Sequence, residues 1–578
     1  MLTVENKILT KVSHILQEKY PNFSGNGLSL NFSPEIKFGD FALPCFLLAK
    51  ELKSSPLEIS SMIAGILFGD NFFVKIEAAG PYVNFTVKAE FLFDDLMNLE
   101  QKDCFLSDGE KIILEYLSPN TNKPLHLGHV RNGCLGMAMA NILAYVGYDV
   151  TRASLVNDRG IHICKSMLAW QKFGNGETPE TTGEKGDHFV GRYYVKFAKE
   201  SDTDPSLNDE AQDMLRRWEA RDPEIMALWE KMNSWVYAGF TETYKTLGFN
   251  FDKFYYESAL YNLGKDIVAD GLKRDVLKKE EDGSIAYALP VDKFGLDQDD
   301  KEKRVTLLRK DGTSVYITQD LGVAHKRFEE EKYSRAVYVV GSEQIYHFKC
   351  LIEVLRALGF AWADNIKHLS YGMVYLPEGK MKSREGKVVD ADNLAAELID
   401  LAKAAVLEKN AESKLDEAEV MARAIKIGIG ALKFYILRVS ADIDIHFDPK
   451  ESISFDGVTG PYCQYVFARI NSIVEKAGEV SEDFDLSLLG NLEERLLAQK
   501  VLALPVKIKE AAQSSNPSVV ASGVYEIAKA FNQFYHHHQI LGETDKKISA
   551  ARLALIKKTA AVLKIGLELL GIDTLSAM

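Results

Sequence analysis

The chain has 578 residues, 46% of them hydrophobic and 26% charged, with a formal net charge of −14. That length and apolar content suit three or four domains with packed cores and exclude a disordered chain. No apolar run reaches the length of a bilayer span, and the stretch 41–49, among the longest, is interrupted by Pro44.

The acidic balance is uneven. From Asn491 to the last residue there are 11 Lys+Arg against 8 Asp+Glu, so this end carries +3 before its three histidines and the remainder carries −17. A positive end on an acidic chain fits docking of a polyanion there, although an ordinary helix bundle with solvated lysines would look the same. Six cysteines (Cys45, Cys104, Cys134, Cys164, Cys350, Cys463) are scattered without a Cys-x-x-Cys pair, which points to a reducing cytoplasm and away from structural zinc.

Residues 1–20 predict an amphipathic helix with Val4, Ile8, Val12 and Ile15 on one stripe, not a signal peptide. A loop at Phe38-Gly-Asp-Phe, helices to residue 67 and a strand over 80–87 complete a small α+β unit, 1–105, followed by a polar linker over 101–110. A parallel-sheet unit, 106–380, opens with strand 112–116, helix 128–145 and strand 150–155, which together form βαβ. A helical insertion over about 174–261 splits it, with hairpin strands around 282–287 and 306–317. The sheet pattern resumes at 335–340, helix 346–358 and strand 367–376. A loop and helices over 381–450 lead to an all-helical unit, 451–578. Its last helix carries Leu553, Ile556, Ala560, Leu563, Leu567 and Leu570 at steps of three and four before Gly571. The fold class is α/β, a Rossmann-like parallel sheet split by an insertion and flanked by an α+β and an all-α domain.

The chemistry concentrates in two loops. Residues 118–129 read Ser-Pro-Asn-Thr-Asn-Lys-Pro-Leu-His-Leu-Gly-His directly after a strand. A helix start offers amides and a positive dipole end to an anion, and Gly128 lets a nucleotide approach the backbone. His126 and His129 share one side of the first turn, where they can donate hydrogen bonds to charge developing on phosphorus. The second loop, Gly379-Lys-Met-Lys-Ser-Arg-Glu-Gly-Lys, follows the last sheet strand and makes a mobile cationic lid. Both emerge past the carboxyl ends of strands, where doubly wound sheets bind ligands. Tyr316 and Asp320 are spaced i,i+4 and share a helix face, while Glu115 ends the strand beside the histidine turn. Without further context Tyr316 and Asp320 could be a helix-start cap with a buried aromatic, and Glu115 an edge-strand residue.

The His-x-Gly-His turn paired with Lys-Met-x-Ser-x resembles the class I aminoacyl-tRNA synthetases, and the whole chain resembles their arginyl-tRNA synthetase family. Residues 115–132 resemble its signature, Tyr316-Ile-Thr-Gln-Asp-Leu-Gly its amino-acid-binding segment, and Gly460-Pro-Tyr-Cys-Gln-Tyr with the Ala-Arg-Leu-Ala-Leu helix its anticodon-binding domain. Phe38-Gly-Asp-Phe-Ala and Gly80-Pro-Tyr-Val-Asn-Phe resemble its extra N-terminal domain. The resemblance implies activation of L-arginine by ATP with Mg2+ and transfer to tRNA(Arg). The cysteine pattern and the lack of a spanning run add no zinc, a cytoplasmic location and no membrane attachment, and a monomer is expected because nothing in the sequence demands a dimer.

By the same resemblance the catalytic groups are His126, His129, Lys123, Lys380, Lys382 and Arg384. ATP would meet Pro119, His126, Gly128, His129, Gly372, Val374, Lys380, Met381 and Ser383. Glu115, Asp320 and the Tyr316 hydroxyl would hold the guanidinium, with Ser118, Asn120 and Gln344 completing the arginine site. Paired carboxylates with fork geometry suit a planar dication and reject lysine. Tyr82 and Asn84 would grip a base of the tRNA D-loop, and Tyr462, Tyr465, Arg469 and Tyr535 would meet the anticodon, with Phe531, Phe534 and His536–His538 nearby. Most class I enzymes carry a second loop lysine where this chain has Ser383 or Arg384; Lys123 would supply that charge, and which of Lys380, Lys382 and Arg384 touches pyrophosphate is left open. A nucleotidylyltransferase for a small acceptor would share the histidine turn but would not need some two hundred further helical residues. A tRNA-binding paralogue with a dead site would have lost His126, His129 or the lid lysine.

Overall fold

The computed structural model describes residues 3–375, 389–409, 415–478 and 484–576. Its centre is a five-stranded, all-parallel sheet in the order Ile366–Tyr371, Arg335–Gly341, Lys111–Glu115, Asp149–Val156, Lys253–Tyr256. Lys111–Glu115 is buried from Ile112 onward, as a strand covered on both faces must be. The chain runs outward from this strand to Asp149–Val156, then later returns to its other side at Arg335–Gly341. The crevice past the carboxyl ends of those strands is therefore a topological switch point.

Helix Leu127–Tyr145 links the first two strands and is buried nearly all round. It lies unusually close to the chain beneath it. A Cβ at Gly136 would come within 2.2 Å of the Tyr116 ring, and one at Gly133 within 2.6 Å of Leu117 and Phe249. Any larger side chain would lift the helix and its histidines off the sheet.

The α+β, parallel-sheet and all-α units expected from the sequence are all present, and three details differ. Lys253–Tyr256, read as part of a helical insertion, is the fifth strand of the sheet, parallel to Asp149–Val156. Four residues give no readable period, and the pairing that makes them a strand is a hundred residues away. The strand expected over 367–376 breaks after Tyr371, because Gly372 turns to Ala441 and Val374–Tyr375 pairs with Ile445–His446. The hairpin material forms three strands, Lys278–Lys279, Ile285–Ala288 and Arg304–Leu308, and Tyr316 already opens helix Tyr316–His325.

The N-terminal unit packs helix Pro56–Leu67 on a four-stranded antiparallel sheet, with helix Val4–Lys19 against Pro56–Leu67 and Ala89–Met97. The terminal unit is built on helices Gly460–Ala477, Leu492–Ser514, Ser518–His537 and Lys546–Leu569, and the stripe from Leu553 to Leu570 is buried in it. Gly571, at φ 68, ends the last helix as expected. None of the described helices is long and apolar enough to cross a membrane.

The Phe38-Gly-Asp-Phe loop joins these two units. Asp40, fully buried, pairs with Arg495 of Leu492–Ser514 and accepts the Val87 N–H at 2.7 Å. Gln499 donates to Ser33 O and Asp40 O at 3.1 and 3.0 Å. Burial pushes the Asp40 carboxyl up, opposed by the Arg495 guanidinium. Arg495→Met leaves a buried carboxylate uncompensated and should cost about 3–5 kcal/mol in denaturant unfolding. Asp40→Asn added to it should recover part of that loss; a double variant no more stable than Arg495→Met would show that the pair is not what matters.

Candidate active site

The strand exit is held in a conformation that most residues avoid. Leu117 has φ 57, and this left-handed turn is fixed because its N–H donates to Asn132 Oδ1 at 2.6 Å and its carbonyl accepts from Ser154 Oγ at 2.7 Å. The turn sends Ser118 and Asn120 over the crevice, with Ser118 Oγ facing Leu155 N–H at 3.4 Å, Pro119 buried and Asn120 exposed.

His126 caps helix Leu127–Tyr145. Its N–H donates to His129 Nδ1 at 3.1 Å, and the two imidazoles stack with centroids 3.8 Å apart. Because His129 Nδ1 is an acceptor, the neutral ring carries its proton on Nε2, free to donate outward. Burial, reinforced by Lys123, lowers His126 to about 4, and burial lowers His129 well below its usual value, so both rings are neutral donors at pH 7. A Cβ at Gly128 would press on the His126 ring at 3.0 Å, so the glycine protects the imidazole as well as the approach to the backbone. Lys123, its pKa also lowered by burial, makes no hydrogen bond among the described residues. It lines a cavity of about 250 Å³ with His126, His188, Arg192, Tyr194 and Asp390.

Of the basic loop, Lys380, Met381, Lys382, Ser383 and Arg384 lie outside the described residues. The residues on either side of it are tied to the histidine turn. On the entry side, Arg131 is fully buried and donates to Gly372 O (2.8 Å), Met373 O (2.9 Å), Ala441 O (2.9 Å) and Ile443 O (2.6 Å). Gly372 is pressed against Asp444, and Val374 is buried in its short pairing with Ile445. On the exit side, Leu127 N–H donates to Val389 O and Ala391 N–H to Leu125 O, each at 3.0 Å, and His126 bridges Asp390. Asn132 completes the knot by donating to Val339 O at 2.7 Å and to the Tyr371 hydroxyl at 3.0 Å.

The two acidic residues expected to bind guanidinium both act electrostatically on the Tyr338 hydroxyl. Glu115 sits opposite Tyr338 in the ladder, and burial raises that hydroxyl to about 12. Glu115 is 7% exposed, and its Oε2 is held by Arg327. That guanidinium is fully buried between the Tyr255 and Tyr338 rings, 4.8 and 5.0 Å from their centroids. Arg327 lies on a π-helical turn, Lys326–Glu330, that continues helix Tyr316–His325. Tyr316 is 77% exposed at the start of that helix, and Gln344 is exposed at the start of Ile345–Ala357.

The expected tRNA contacts fall in two places. Tyr82 is 39% exposed and meets Phe46 edge-on at 5.8 Å, while Asn84, on the same face of the strand, is buried. In the helical unit Arg469 joins the others: it donates to Tyr465 OH at 2.6 Å and Asn532 Oδ1 at 3.2 Å, and lies 5.4 Å from the Tyr535 ring. Asn532 in turn donates to Tyr462 OH at 2.8 Å. Phe531 and Phe534 are core, and His538 alone of its run pairs with Glu493, at 3.0 Å.

Sequence reasoning assigned no role to Arg131, Asn132, Arg327, His347 or the insertion cluster Lys185, Asp187 and His188. The signal was present for Arg131 and Asn132, adjacent polar residues inside a mostly apolar helix. The insertion cluster holds the start of helix Ala391–Lys409. Lys185 Nζ lies 2.6 Å from Asp392 and 3.2 Å from Asp187, and His188 Nε2 lies 2.9 Å from Asp392 and 3.4 Å from Asp390. Three of these side chains, Asp187, His188 and Asp392, have the spacing of a metal site, but the Lys185 ammonium already serves as their cation.

Residues 93–448 match the family described as tRNA synthetases class I (R), catalytic domain. Residues 6–87 match the arginyl tRNA synthetase N terminal domain, and residues 463–578 the DALR anticodon binding domain. Arginine–tRNA ligase of Bacteroides thetaiotaomicron is 48% identical over 81% of this chain and 80% of its own. That of Bacteroides fragilis is 43% identical over 99% of both. The solved arginyl-tRNA synthetase of Thermus thermophilus superposes with a TM-score of 0.81 over 100% of both chains at 25% identity. The chain belongs to the arginyl-tRNA synthetase family of class I.

The insertion cluster makes a pH prediction. The hydrogen bond to Asp392 raises the His188 pKa, so its stabilisation is complete below the unfolded value near 6.5 and fades as pH climbs through the raised one. Burial opposes ionisation of Asp392, but bonds from His188 and Lys185 hold it at about 2, so its contribution fades only as pH falls towards that value. His188→Gln should therefore destabilise the protein more at about pH 6 than at about pH 8.5 in parallel denaturant titrations. Equal losses at both would show that His188 is not charged in the fold.

Proposed function

We propose a residue-level course for the reaction that the family performs. As an aminoacyl-tRNA ligase, the chain activates L-arginine with ATP to arginyl-adenylate. It then transfers the arginyl group to the 3′-terminal adenosine of tRNA, releasing AMP and pyrophosphate.

In this course ATP, with Mg2+ as part of the substrate, lies across the switch point. The arginine carboxylate attacks the α-phosphorus in line, displacing pyrophosphate. His126 and His129 donate to the α-phosphate oxygens as charge grows there, and being neutral they add no repulsion for arginine. Lys123, desolvated and unpaired among the described residues, takes the phosphate charge that a second loop lysine takes elsewhere. Lys380, Lys382 and Arg384 would close on the departing pyrophosphate. Glu115, Asp320 and Tyr316 take the guanidinium, and Ser118, Asn120 and Gln344 the other end of the amino acid. The N-terminal unit grips the tRNA D-loop with Tyr82 and Asn84, and the cluster around Arg469 reads anticodon bases by stacking. The helices after 389 would contact the tRNA stem. We place the work in the cytoplasm, where six buried free cysteines stay reduced, and assign it to a monomer.

One observation carries this reading: the chain after 388 is bonded to the turn bearing His126 and His129, and the chain before 376 to Arg131 on the helix that this turn opens. The test is ATP–pyrophosphate exchange. It should appear with arginine alone among amino acids, and only when tRNA is added, because tRNA docking completes the site. Lys123→Gln should slow it about 10²-fold. Exchange with lysine or glutamate, or none at all, overturns the assignment; a Lys123→Gln rate near wild type removes Lys123 from the phosphates.

A further inference from the structure

We infer that His347 is a positioning residue for arginine recognition: it holds the Asp320 carboxylate so that one oxygen stays open to the substrate guanidinium. The inference rests on Asp320 binding that guanidinium, as proposed above.

Asp320 is not on the main sheet. It rides on helix Tyr316–His325, which follows the small antiparallel sheet, so its direction relative to the crevice has to be set by a contact. His347 supplies one, with Nε2 2.6 Å from Asp320 Oδ2. His347 lies three residues after Gln344, on the first turn of helix Ile345–Ala357, so the bond ties the two helix starts that carry the expected arginine contacts. His347 is itself backed by Phe348, edge-on at 5.8 Å, and Phe348 stacks on His368 at 4.4 Å. His368 is fixed to Val340 O at 2.9 Å, so the support runs from strand Arg335–Gly341 out to Asp320.

The other carboxylate is built the same way. Arg327 holds Glu115 Oε2, and neither Glu115 Oε1 nor Asp320 Oδ1 has a hydrogen bond among the described residues. Each acid is thus clamped on one oxygen by a basic side chain and presents the other. Two fixed acceptors can match the planar fork of a guanidinium, whereas a rotating carboxylate would serve an ammonium equally well.

The test is steady-state exchange with tRNA present, varying arginine and ATP separately. His347→Leu should raise KM for arginine about 10- to 100-fold, the worth of a hydrogen bond to a charged group, and leave KM for ATP within about twofold. His347→Gln, which keeps an N–H donor, should return arginine KM to within about threefold of wild type. A matched rise in both KM values, no rise, or a glutamine variant no better than leucine overturns the inference. Asp320→Asn separates it from the reading beneath it. If that change leaves arginine KM unaltered, Asp320 does not bind guanidinium and both fall. If it raises arginine KM and His347→Leu still adds its full effect, the inference alone falls; an added effect under about twofold supports it.

Discussion

A buried guanidinium that bonds four carbonyl oxygens holds this active site together. Taking an arginine out of water costs several kcal/mol unless its donors are met. Arg131 offsets most of that cost through Nη1 and Nη2 on the carbonyls of Gly372, Met373, Ala441 and Ile443, leaving only its Nε without a partner among the described residues. Those carbonyls belong to two segments remote from it in sequence: the end of the sheet before residue 376 and the loop after helix Glu417–Leu437. Asn132 adds bonds to the chain after the first strand, to Val339 and to Tyr371. Two adjacent residues, just past the paired histidines, therefore bind both halves of a sheet that the chain makes more than two hundred residues apart.

The chemistry follows from this rigidity. Burial keeps both imidazoles neutral, and a backbone N–H fixes the tautomer of one, so their donors are set before a substrate arrives. Preorganised dipoles in a site shielded from water need no rearrangement as charge develops on phosphorus. In the proposed course the cationic contribution would come from Lys123 and from Lys380, Lys382 and Arg384. The acids expected to bind guanidinium are held in turn by internal bases. In that course, packing would place nucleophile, phosphate and leaving group, which is most of what the reaction asks of the protein.

Much of the architecture was legible because it is local. The histidine turn and the stripe of the last helix with its glycine stop declare themselves within twenty residues, and the βαβ pattern within residues 112–155. What the sequence hid depends on distant partners. Lys253–Tyr256 is a strand only beside Asp149–Val156, and the break at Gly372 exists only because Ala441 and Asp444 lie against it. The site divided in the same way. Residues expected to face the substrate were proposed from motifs, whereas Arg327, His347 and Lys185, which hold those residues or the chain beside them, have partners twenty-seven to more than two hundred positions away.

The claim beneath all of this is that one nucleotide is gripped at once by the histidine turn and by the loop that the same turn anchors. A crystal structure with tRNA and a non-hydrolysable arginyl-adenylate tests it directly. The phosphorus oxygens should lie within about 3 Å of the His126 and His129 rings, with Lys380, Lys382 or Arg384 reaching the same nucleotide and the guanidinium between Glu115 and Asp320. An adenylate seated elsewhere on the sheet, or touched by the histidines while 376–388 lies on another face, would contradict it.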